Sequence, residues 1–152
     1  MKEYDYPAYG FAVSFPAPPQ ETDQPSDGKV GEKLILESTA SGGRDFVVES
    51  FDLGRYFAFA GDSELNKARQ GAADKIGATA SSDTPITMGA YSGHEYQLSK
   101  DGKPVMVLRE FLIGSKVYIL GAASGSGVTD PAIAAYFGSF RVLPPPAATN
   151  AT

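Results

Sequence analysis

YSGHEYQLSKDGKPVMVLREFLIGSKVYILGAA, residues 91–123, decides the architecture, because two turn signals divide it into three strand-length runs. Asp101-Gly102 is a dipeptide that a tight hairpin favours, since both residues tolerate positive φ. Gly114-Ser115 supplies a second turn. The runs 91–100, 103–113 and 116–123 therefore read as a three-stranded antiparallel meander. In the middle run Val105, Val107, Phe111 and Ile113 point one way, and Met106, Leu108 and Leu112 the other. Side chains alternate faces along a strand, so this sheet is apolar on both sides and needs cover on both.

Upstream, Tyr9, Phe11, Val13 and Phe15 alternate with small residues as a strand, which Pro16, Pro18 and Pro19 end because proline cannot donate to a ladder. Residues 20–29, polar with Pro25 and Asp27-Gly28, read as a surface loop. Two further strands, 32–40 and 45–51, flank the turn Ser41-Gly42-Gly43-Arg44. Asp62 reads as a helix N-cap, Leu65, Ala68, Ala72 and Ile76 as one apolar stripe, and Gly77 as a left-handed stop. A second helix is expected near 131–137, with Thr129 or Asp130 as cap, Pro131 in its first turn, Ile133, Tyr136 and Phe137 inward, and Gly138 at its end. Residues 140–143 read as a last short strand.

The expectation is α+β: a single domain over 1–143 with a central antiparallel β-sheet and helices on both faces, an α/β/α sandwich. A Pro/Ala-rich tail, 144–152, is expected to be disordered.

Composition removes several function classes. At 152 residues the chain can bury a core without disulfides, and it has no cysteine. Thiolate zinc, Fe–S and cysteine-nucleophile chemistry go with the cysteines, and a single histidine argues against nitrogen-rich metal sites, so no metal or cofactor is expected. A net charge of −5 argues against nucleic acid as a partner. The longest apolar stretches, 105–108 and 111–113, fall far short of the roughly 20 residues that span a bilayer. Lys2, Glu3 and Asp5 stand where a leader would need apolar residues, so no export segment is expected in this chain.

Of the motifs, His94-Glu95 begins like a metalloprotease pair but lacks the second histidine, and neighbours on a strand face opposite ways. His94 is read as a structural or surface residue. Ser26-Asp27-Gly28-Lys29 matches Ser-x-x-Lys by letter only, since Asp-Gly makes a turn rather than the helix that chemistry needs. Ser124-Gly125-Ser126-Gly127 lies between a strand and a helix, where backbone N–H groups can hold an anion. Asp130 already places negative charge there, so the stretch reads as a flexible connection with a capping residue. Asn150-Ala151-Thr152 is a glycosylation acceptor by letter. Lys100 and Lys103 read as a solvated hairpin tip.

The order of features is similar to that of the PsbP-like superfamily. The resemblance is carried by an aromatic first strand ending in Phe15-Pro16, the segment 89–96 (Gly89-Ala90-Tyr91-Ser92-Gly93-His94-Glu95-Tyr96), Arg109-Glu110-Phe111, Val117-Tyr118-Ile119-Leu120, and Ser139-Phe140 after the last helix. It covers roughly residues 9 to 143 as a pattern. Within that group the chain resembles bacterial exported and lipoprotein domains. Family members with assigned roles bind partners, one as an extrinsic subunit of photosystem II and another on a nuclear-transport GTPase. The resemblance implies a periplasmic or envelope location, with the cytoplasm as alternative, and no shared catalytic residue.

Three functions follow as expectations. The first is a non-enzymatic module that binds an unidentified protein partner, with Tyr4, Tyr6, Tyr56, Phe57 and Phe59 as contact residues, because aromatics in connecting segments bring large contact area. Their alternative is a core role. The second is a carrier of a small apolar or aromatic ligand, which needs a pocket. The third is a hydrolase using His94 with a distant Asp and Ser, which a carboxylate or hydroxyl within reach of the ring would favour.

Overall fold

The computed structural model describes residues 1–24, 33–54, 57–81 and 83–144, and for 57–60 the backbone alone. Eleven strands and two helices occur among them. In chain order these are β1 (Lys2–Tyr6), β2 (Phe11–Phe15), β3 (Gln20–Gln24), β4 (Lys33–Ala40), β5 (Arg44–Asp52), α1 (Phe57–Ile76), β6 (Thr79–Ala80), β7 (Thr84–Met88), β8 (Tyr91–Lys100), β9 (Lys103–Ile113), β10 (Lys116–Ala123), α2 (Pro131–Ser139) and β11 (Arg141–Val142).

The meander forms as its turn chemistry requires. Asp101 and Gly102 have φ of 53° and 78°, the paired positive values of a primed hairpin turn. Strands β8, β9 and β10 are consecutive antiparallel neighbours. They form the middle of an eight-stranded sheet ordered β3-β4-β5-β10-β9-β8-β6, with β7 also paired to β8. A separate sheet has the order β1-β2-β11.

The α/β/α sandwich is therefore corrected: the chain is mostly strand, and a sheet rather than a helical layer leads the face opposite α1. On that face Phe11, Val13 and Phe15 of β2 pack with Leu34, Leu36, Phe46, Val48, Phe111, Tyr118 and Leu120 of the large sheet. The nine-residue α2 joins this core through Ile133, Tyr136 and Phe137. Tyr136 is fully buried, and its hydroxyl donates to the Val47 carbonyl at 2.7 Å. The cover expected from helices is supplied largely by aromatic rings: Phe11 stacks on Tyr6 and Phe140, and the Phe46 ring meets Tyr136 at a tilt, 4.8 Å between centroids. Such pairs add to plain area burial.

Four boundaries also differ from expectation. Residues 20–24 are a strand, not a loop, because Lys33 to Glu37 of β4 offer a ladder that all five exposed polar residues can join. Residues 2–6 pair with β2 as an additional strand. Helix α1 starts at Phe57, so Asp62 lies inside it and is not its cap. Gly138 lies within α2, which closes at Phe140. Gly77 does take the left-handed conformation after α1, at φ 66°.

Candidate functional site

Helix α1 lies against β9 and β10. Leu65, with Ala68 and Ala72, packs on Leu108, Val117 and Ile119. Gly61 lets the helix approach, since a Cβ there would stand 2.7 Å from Leu112 Cδ2. Small residues on the helix bring its axis close over the meander, and the same face of β4 and β5 is left beside it. Between them runs a groove of about 570 Å³. Its floor is Ile35, Val47, Met106, Leu108 and Ile119, and its helix wall is Ala68, Gly71, Ala72 and Ile76. The end of the Met106 side chain lies over Gly121, where a Cβ would meet it at 2.5 Å. A thioether in that position gives the floor an adaptable surface.

Charges ring this apolar floor. Lys33 Nζ pairs with Glu49 at 3.0 Å and lies 4.9 Å from the centre of the Phe51 ring. Lys67 pairs with Glu64 at 3.5 Å. Glu37, Asp45 and Lys75 also line the groove, so this part carries two carboxylates and one ammonium. The Asp45 Oδ1 atom is buried and accepts no hydrogen bond. Burial, then a hydrogen bond shared with the Glu37 carboxyl and the repulsion of its charge, push the Asp45 carboxyl up to about 6, while Lys75 draws it back.

Across α1 lies a second, polar cleft of about 630 Å³, lined by Arg69, Gln70, Asp74, Thr79, Asp83 and Tyr96 among others. The Arg69 guanidinium sits 4.4 Å from the centre of the Tyr96 ring, a cation–π contact. Beneath it Glu110 is buried with both carboxylate oxygens unbonded, 3.9 Å from Arg69 Nη1 at the nearest. Burial pushes the Glu110 carboxyl up to about 7 despite the arginine. His94 stands opposite Glu110 in the ladder, and its Nδ1 meets the two Asp83 oxygens at 2.9 and 2.8 Å. The His94 and Asp83 side chains are nearly half exposed.

Tyr4 and Tyr6 lie on β1, half-buried, with their rings against Phe15 and Phe11. Burial pushes the Tyr6 phenol up to about 12. Phe57 and Phe59 lie in the first turn of α1, and Tyr56 lies outside the described residues, as do Ser26 to Lys29 and Asn150 to Thr152.

The 124–127 stretch is docked rather than loose. The Gly125 amide donates to the Gly42 carbonyl at 2.9 Å, and a Cβ on Gly125 would stand 2.6 Å from that oxygen. Asp130 caps α2 by accepting from the Ala132 amide at 3.0 Å. It also accepts from Arg44 Nε at 2.8 Å and from the Ser124 hydroxyl at 2.6 Å. These bonds hold its carboxyl well below the usual carboxylate range. The helix N-terminus is thus filled by the chain's own anion. Among the described residues no group of three His, Asp or Glu side chains is placed to hold a metal ion, and no helix is long and apolar enough to cross a membrane.

The groove residues escaped the sequence reading, although a signal was present. In β4 and β5 one face is apolar and buried, as Leu34, Leu36, Phe46 and Val48 show, while the other mixes Ile35 and Val47 with Lys33, Glu37, Asp45 and Glu49. An outward face that keeps aliphatic residues among charges is a candidate binding surface.

Compared with protein-family models and with curated proteins, the chain matches none.

Proposed function

We propose that this chain is a binding module that holds a small, largely apolar molecule in the groove between α1 and strands β4 and β5. One observation carries the reading: Ile35, Val47 and Ile119 form an aliphatic floor beside α1 that the helix does not fill, in a groove of about 570 Å³. That volume is within the range of about 300–1,000 Å³ typical of small-molecule sites. The charged rim fits a bound molecule with a polar end. Gly71 supplies the test. It lines the groove, and a Cβ built on it has nothing within 4 Å. Gly71→Leu should place a side chain in the groove without straining the helix. Binding of an uncharged apolar probe such as octanol, followed by amide shifts of Val47 and Gly121, should be lost in a variant that melts no lower than the parent. Retained binding would remove the groove from consideration.

A second reading is acid–base chemistry at His94, favoured by its pairing with Asp83 at 2.8 Å. A carboxylate on Nδ1 orients an imidazole and fixes its tautomer, leaving Nε2 to move a proton. Ester hydrolysis that disappears in both His94→Ala and Asp83→Asn, with the melt unchanged, would support it. Activity indifferent to both substitutions would remove it.

A further inference from the structure

We propose that the groove selects a cationic amphiphile, a molecule with an ammonium group and a short apolar body, whose charge is received by Asp45 and Glu37. This rests on the groove reading above and adds the charge of the ligand to it.

The argument is one of charge and hydrogen-bond balance along the groove. Lys33 and Lys67 are taken up by Glu49 and Glu64. What remains is Glu37 and Asp45 against Lys75, so that part of the lining is left with a surplus negative charge. Asp45 stands opposite Thr39, and Glu37 opposite Val47, in the β4–β5 ladder, so the two carboxylates are diagonal neighbours on the groove face. Two like charges at that separation raise each other's energy, and a cation between them relieves it.

The second observation is the buried Asp45 Oδ1, which accepts no hydrogen bond, while the Asp45 carboxyl has the Glu37 carboxyl as a hydrogen-bond neighbour, a partner that can donate only while one of the two keeps a proton. A buried acceptor without a donor is costly, and native chains rarely leave one unmet. An ammonium group brings N–H donors together with positive charge, and so answers both deficits. A carboxylate ligand would worsen both, and an alcohol would answer only the hydrogen bond. Next to these acids the floor turns aliphatic at Val47, Ile119 and Met106, and the wall turns to Ala72 and Ile76. An alkyl or similar apolar body has a surface to cover once the head is seated. Lys75, exposed on α1, is paired with neither acid and does not have to be displaced for the ligand's ammonium to enter.

The experiment compares octylammonium, octanol and octanoate, three probes of equal chain length and different charge, by calorimetry and amide shifts on the full chain at mildly alkaline pH. Octylammonium should bind about tenfold more tightly than octanol, the factor that one favourable contact of ordinary strength provides. Octanoate should bind most weakly, and the shifts should fall at Val47, Gly71 and Gly121. Asp45→Asn should bring the octylammonium and octanol affinities together. Glu37→Gln, on the adjacent strand, should narrow the same gap and serves if the first variant does not fold. Equal binding of all three probes in the groove would overturn the charge selection and leave the groove reading standing. Binding of none, or shifts elsewhere, would overturn both.

Discussion

Arg69 Nη1 stands 3.9 Å from Glu110 Oε1, too far for a hydrogen bond, above a carboxyl group that is 1% exposed and accepts none. The arginine lowers the cost of the buried charge without removing it, which is why the Glu110 carboxyl is pushed up from 4.5 to about 7. In the folded chain Glu110 keeps its proton where the unfolded chain has lost it. The folded state binds more protons between these values, so stability falls as pH rises from 4.5 to about 7. Asp45, raised from 3.8 to about 6, adds to the slope in the lower part of this window. Glu110→Gln should flatten the slope and raise the unfolding free energy by about 2–3 kcal/mol above neutral pH, a rise of roughly 5–10 °C in Tm. Melts between acidic and neutral pH check this, and an unchanged slope would contradict it.

Asp130 should behave in the opposite sense. Its carboxyl is depressed by Arg44, Ser124 and the Ala132 amide, so its contribution is present above 3.8 and is lost as pH falls below it. Asp130→Ala and Arg44→Ala should each lower Tm at neutral pH, and the double variant should fall short of the sum, because the two share one interaction. A strictly additive double-mutant cycle would show that the pair is not coupled.

Two glycines should respond with opposite signs. Gly71 lies inside α1 with open space around a built Cβ, so Gly71→Ala should raise stability by about 1 kcal/mol through helix propensity alone. Gly93 lies opposite Phe111 in the β8–β9 ladder, and a Cβ there would stand 2.5 Å from ring carbons and 2.8 Å from the Glu110 carbonyl oxygen. The ring has no room to retreat from backbone, so Gly93→Ala should cost about 1–3 kcal/mol. Denaturant melts of the two variants distinguish them directly.

Tyr6 tests the contact role expected of the N-terminal aromatics. Its ring stacks on Phe11 at 5.1 Å between centroids and is half-buried. Tyr6→Ala should cost about 2 kcal/mol, less than the roughly 3–5 kcal/mol of a fully buried aromatic. A melt indistinguishable from the parent would return Tyr6 to the surface and to a contact role.

Legibility followed locality. The hairpin at Asp101-Gly102 and the Asp130-Pro131 start of α2 depend on backbone preferences of the residues themselves, and both lie where the pattern places them. Strand β3, Gln-Glu-Thr-Asp-Gln, has no apolar alternation at all, and its conformation comes from pairing with β4, which no local preference announces. The small sheet was hidden for a related reason. Its strands β1 and β11 are joined only through β2, and the pairing of Arg141 with Ala12 leaves no local trace. The groove depends on where α1 crosses the sheet, a choice made by Gly61 against Leu112 and Ala68 against the meander. A helical stripe shows that a face is buried but not which strands it covers.

The joining of the first strands to the last has a consequence for the order of events as the chain folds. The Ser14 amide donates to the Ser139 hydroxyl, 125 positions away, and Glu3 pairs with Arg141 across 138. Contacts of such separation close the largest loops and form slowly. A growing chain that has reached Ala123 holds every strand of the meander, yet Phe11 and Phe111 still lack the Phe140 ring that stacks on both. Half of the core is thus finished only when the final strand arrives, and until then the nascent protein presents an aromatic surface to whatever meets it, a chaperone or another unfinished copy.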